Sequence, residues 1–68
     1  MTIGEHLELE RLRHLEQRLR LTIRELRVRA RYHYDGSVPE GLRKSLQDFE
    51  LQLRAVRSRL QTLEAQAT

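Results

Sequence analysis

The chain has 68 residues, no cysteine and 4% aromatic residues, which excludes a disulfide framework, a thiolate metal site and a large buried core. Charged side chains make up 34% of it, and 12 arginines and one lysine against ten acidic residues leave a formal charge of +3; this permits nucleic-acid binding without requiring it. No stretch approaches the roughly 20 apolar residues of a membrane span, and Met1–His6 has no apolar core of signal-peptide length, so no membrane contact is expected and the expected location is the cytoplasm.

The first element is a helix over about residues 3–35. Thr2 and Glu5 have the spacing of a capping pair at its start. Leu12, Leu15, Leu19, Ile23, Leu26, Ala30 and Tyr34 fall within about 100° of one another at ~100° per residue. Leu12, Ile23 and Tyr34 recur every eleven residues, as do Leu15 and Leu26, which predicts a nearly straight apolar stripe. A second stripe, Leu7, His14, Leu21 and Val28, recurs every seven residues, with Ile3 and Tyr32 close by. It projects nearly opposite the first, so a lone hairpin leaves it uncovered. That makes Leu7, His14, Leu21, Val28 and Tyr32 the candidate partner-binding residues. The competing reading is of scattered surface leucines, which folded proteins tolerate.

The same helix carries Arg18, Arg20, Arg24, Arg27, Arg29 and Arg31 against Glu25 alone. They are expected around the helix rather than in one stripe, as solvated flanks whose stems cover apolar neighbours. If they bind nucleic acid, Arg20, Arg24, Arg27 and Arg31 are the candidates, with Tyr32 and Tyr34 beside them for stacking.

A turn is expected at about residues 35–38. Gly36 fits a helix C-terminus, Ser37 and Glu40 fit a capping box, and Pro39 is placed in the first turn of the next helix, where its missing N–H costs nothing. That second helix runs over about residues 38–66. Leu42, Leu46, Phe49, Leu53, Val56, Leu60, Leu63 and Ala67 follow an unbroken 4-3-4-3 spacing, the heptad seam of coiled coils. At ~1.5 Å per residue the two helices are rods of roughly 50 and 43 Å. So short a loop makes them antiparallel neighbours. The fold class is therefore all-α, one coiled-coil-like helical-hairpin domain over residues 1–68, completed by a partner or as a dimeric four-helix bundle.

Nothing points to catalysis or to a cofactor. His6, His14 and His33 lack the i, i+4 spacing of a helical metal site. Ser37, Ser45 and Ser58 read as cap or surface residues. The carboxylates are spread along convex helices, with no cysteine nucleophile or glycine-rich phosphate loop beside them.

Several features together resemble a known family in layout. Met1-Thr2 opens the chain with a glutamate-leucine run after it. Leucines occupy the Leu15–Leu26 region. A glycine-containing turn leads into Pro39-Glu40, and the second helix carries Gln47-Asp48-Phe49-Glu50 and then Ala55. This layout resembles the small helical-hairpin co-chaperones of type III secretion systems, which help keep the needle subunit unpolymerised. The resemblance implies a three-way complex. In it the hairpin packs on a tetratricopeptide-type co-chaperone that grips the needle subunit, with Leu7, Leu21 and Val28 covered by the helical partner. The architecture also resembles the helical-hairpin homodimers that form a four-helix bundle and bind paired RNA loops, which implies a second copy as partner and the arginines as the RNA surface. The expected function is thus non-enzymatic protein binding, with RNA or DNA binding as the alternative.

Overall fold

The structure, a computed structural model, describes residues 2–33 and 38–67, with backbone alone at His33 and Ala67. Two helices make it up: α1, Ile3–His33, and α2, Glu40–Ala67. The predicted turn residues Tyr34, Asp35, Gly36 and Ser37 lie outside the described residues.

α1 begins where a side chain satisfies one of its orphan amides. Glu5 N donates to Thr2 Oγ1 at 3.1 Å, the Thr2 hydroxyl donates to Glu5 Oε1 at 3.1 Å, and His6 N donates to the Thr2 carbonyl at 3.0 Å. Thr2 is thus the cap that the Thr2–Glu5 spacing predicts. The glutamate binds the threonine hydroxyl rather than the threonine backbone amide. At α2, the amides of Leu42 and Arg43 both donate to the Pro39 carbonyl at 3.1 Å. Pro39 therefore precedes the first helical residue instead of lying within the first turn as expected. The helix starts at Glu40 rather than near residue 38. Proline suits either position because no intrahelical acceptor awaits its nitrogen.

The helices run antiparallel. Going up α1, Glu8 pairs with Arg59, Arg13 with Glu64, Glu16 with Arg57 and Arg27 with Glu50. The partners thus move from the C-terminal third of α2 towards its start. The resulting rod measures 49 × 16 × 14 Å.

Leu9, Leu19, Val56, Leu60 and Leu63 form a buried cluster with Leu12, Phe49 and Leu53 packed half-buried against it, and Ile23 is buried too. The α2 seam is as its heptads predict, with Leu42, Leu46, Phe49 and Leu53 partly covered and Val56, Leu60 and Leu63 buried. The α1 seam matches the predicted stripe at Leu12, Leu19, Ile23, Leu26 and Ala30 and departs from it towards the helix start. Leu15, expected inside, is 41% exposed, and Leu9, which that stripe omits, is 6% exposed. The side chains turned to α2 are Leu9, Leu12, Glu16, Leu19, Ile23, Leu26 and Ala30, all buried or half-buried. Their spacing is an unbroken 3-4-3-4, a heptad matching that of α2. Glu16 hides the pattern: it occupies a seam position, with its stem packed down and its carboxylate accepting from Arg57 Nε at 3.2 Å.

Candidate partner-binding surface

The outer side of α1 carries an uncovered apolar ridge. Leu7 is 50% exposed, Leu21 53%, Val28 48% and Tyr32 74%, and His14 is also exposed. Every residue of the predicted partner-binding set is therefore open to solvent on the free hairpin, and Ile3, at 82%, extends the ridge to the helix start. One cause runs through the set. Two helices bury one face each, and the heptad that turns Leu19 and Ile23 to α2 turns Leu21 and Val28 away from it.

An open groove runs along one side of the rod, between that ridge and α2. Ile23 and Leu53 contribute to its floor, and Leu21, Val28 and Tyr32 line its α1 side. Arg13, Arg20, Arg24, Arg27 and Arg31 come into it from α1, and Arg54 and Arg57 from α2. Leu7 and His14 are not part of it. The two candidate sets deduced separately from the sequence thus meet in one place: all four nucleic-acid candidates share the groove with three of the five partner-binding residues.

The six arginines of the sequence cluster do not form one stripe, as expected, because Arg18 and Arg29 are not part of the groove, but a narrower set does. Arg13, Arg20, Arg24, Arg27 and Arg31 are spaced 7-4-3-4, and at ~100° per residue they fall within roughly 60° of one another. Arg18 and Arg29 project to the other side and blur the stripe when the six consecutive arginines are taken together. Arg13, Arg54 and Arg57 are the groove arginines that the sequence reading missed. The heptad spacing back from Arg20 contains the signal for Arg13. Arg54 and Arg57 follow once α2 is in register, because each directly follows a seam residue, Leu53 or Val56.

The groove concentrates the charge of the molecule. Seven arginines face two glutamates, Glu16 and Glu50, an excess of five against +3 for the whole chain. Three of the seven are paired: Arg13 with Glu64 at 3.7 Å, Arg57 with Glu16 at 3.2 Å and Arg27 with Glu50 at 2.6 Å. Arg20, Arg24, Arg31 and Arg54 have no acidic partner within 4 Å among the described residues. Elsewhere, Glu8 takes two hydrogen bonds from Arg59, at 2.8 and 3.2 Å, which hold its carboxyl below the usual carboxylate range and the guanidinium above its own.

Among the described residues there is no group of three side chains that could hold a metal ion, and no helix is long and apolar enough to cross a membrane. His6 and His14 are exposed single residues. Comparison with profiles of known families, with curated proteins and with solved structures finds no match to the chain.

Proposed function

We propose that this hairpin is a non-enzymatic protein-binding module of the cytoplasm, a small chaperone or assembly subunit that docks a helical partner along the outer ridge of α1. The observation that carries the reading is the exposure of Leu7, Leu21, Val28 and Tyr32 on a helix whose opposite face is already spent on the fold. Helix-in-groove recognition uses anchors at this spacing. A 68-residue chain without disulfides also gains the buried area it lacks by binding. The resemblance to type III secretion co-chaperones gives the proposal a concrete form, with a tetratricopeptide-type protein on the ridge and the needle subunit held by that protein.

Co-purification from the native cell tests it, comparing the wild-type chain with Leu7→Ser/Leu21→Ser/Val28→Ser. The substituted positions are half-exposed, so the variant should melt within a few degrees of wild type. A helical protein retained by the wild type and lost by the variant is the expected result. Equal retention of that protein by both would place the interface elsewhere.

The arginine stripe favours a second reading, a homodimeric four-helix bundle that binds RNA or DNA through Arg20, Arg24, Arg27 and Arg31. Phosphate binding would weaken steeply with salt through counterion release. It ranks second because the same groove holds Glu16, Glu50 and three exposed apolar side chains, which a phosphate backbone does not need.

A further inference from the structure

We infer that the occupant of the arginine groove is an amphipathic helix with an acidic flank, contributed by a protein other than this one. The inference rests on the helix-docking reading above and deepens it by naming the chemistry of the partner.

Three features of the groove select this occupant. The first is length: from Arg13 to Tyr32 the groove follows nineteen residues of α1, roughly 28 Å at ~1.5 Å per residue, about five turns of a docked helix. The second is the interleaving of two chemistries at one period. Leu21, Val28 and Tyr32 step by 7 and 4, and beside them Arg20, Arg24, Arg27 and Arg31 step by 4, 3 and 4. A helix lying in the groove meets apolar side chains along one edge and guanidinium groups along the adjoining one. It answers both with an apolar stripe flanked by carboxylates.

The third feature is the set of arginines left over. Arg20, Arg24, Arg31 and Arg54 lack acidic partners among the described residues, so four donors stand ready for carboxylates from outside. Guanidinium groups suit bidentate carboxylate contacts, and they gain strength as a docked helix displaces water from around them. A second copy packed groove to groove is a poor occupant, because it would set one surface with five positive charges in excess against another. Nucleic acid satisfies the arginines but leaves Leu21, Val28 and Tyr32 against a phosphate backbone.

The test uses the full-length chain against a displayed library of 21-residue helices. Leucines are fixed on one face at heptad spacing, and the flanking positions are randomised among Glu, Gln and Lys. The expected result is at least tenfold enrichment of Glu over Gln on one flank. Purified selected peptides should lose tenfold or more in affinity against Arg20→Glu/Arg24→Glu. A matched peptide with Gln for every Glu should bind both proteins alike and weakly. Because both arginines are exposed, melting of the double variant close to wild type confirms that it is folded. Enrichment of leucine-faced helices with no preference among Glu, Gln and Lys would overturn the acidic flank and leave helix docking standing. Failure to enrich any helix, together with salt-sensitive binding of a 20-base-pair RNA duplex, would overturn both in favour of nucleic acid. Failure to enrich any helix, with no RNA binding, would overturn both outright.

Discussion

Leu63 has no exposed surface, whereas Leu53, in the same seam, is only half-buried. The two residues have the same chemistry and differ in how much of it leaves water. Replacing Leu63 with Ala removes contacts on every side and should cost about 2–5 kcal/mol, while Leu53→Ala should cost roughly half that. One kcal/mol shifts the midpoint by about 4–8 °C in a domain of this size, so parallel thermal melts resolve the difference. Equal losses would mean that the groove floor at Leu53 is as well packed as the far end of the rod. A second residue-scale expectation concerns Glu8. Its carboxyl is held low by the Arg59 hydrogen bonds, so its folded pKa lies below its unfolded one. The stability this adds is fully present above the unfolded value and is lost as pH falls through the folded value. The gap between wild type and Glu8→Gln should therefore be constant near neutrality and close as melts are repeated down to about pH 3. A gap that persists at the acid end would assign the loss to packing rather than to the ion pair.

At the scale of the elements, the two helices differed in how plainly the sequence stated them. The α2 heptad could be followed from Leu42 to Leu63 because every seam position holds an apolar residue. The α1 heptad was hidden by Glu16: passing over a charged residue leads to Leu15, one position off, and from there to a false eleven-residue repeat. Leu9 is buried and Leu15 exposed because the seam follows the phase of Leu12, Leu19 and Ile23, which passes through position 16 and not 15. The arginine stripe was obscured by an analogous choice, since a cluster defined by nearness in sequence mixes the groove-facing Arg20, Arg24, Arg27 and Arg31 with Arg18 and Arg29. The outer ridge was legible throughout, as its four hydrophobic members are spaced for a helix and lie opposite the face that packs on α2. Glu16 also yields a prediction. Its pair with Arg57 is half in solvent, and such a pair is often replaced by packing at no loss. Glu16→Leu completes the heptad and should raise stability by about 1 kcal/mol. A fall in melting temperature would show that the Glu16–Arg57 pair fixes the register, in the way single polar seam residues do in coiled coils.

At the scale of the whole molecule, a rod 49 Å long and 16 Å wide has little interior. Among the described residues six side chains are buried, Leu9, Leu19 and Ile23 on α1 and Val56, Leu60 and Leu63 on α2. Near the α1–α2 connection, Leu26, Ala30, Leu42 and Leu46 are only half-covered. That end of the molecule also carries Val28, Tyr32 and Arg31 of the groove. Among the described residues, this half-covered stretch of seam lies beside one end of the groove that the proposed helix would cover, so binding and folding should be coupled. A ligand that binds only the folded state at a hundred times its Kd adds about 2.7 kcal/mol, equivalent here to roughly 10–20 °C in the melting midpoint. An acidic-flanked helix selected against the groove should produce a shift of that size. Amides of Leu26–Arg31 and Leu42–Leu46 should gain the most hydrogen-exchange protection, because their local opening is what the ligand suppresses. Raising the concentration of the chain alone a hundredfold should leave the midpoint unchanged, since the groove repels its own kind. A midpoint that climbs with the concentration of the chain itself would instead assign the ridge to self-association and make the functional unit a four-helix bundle.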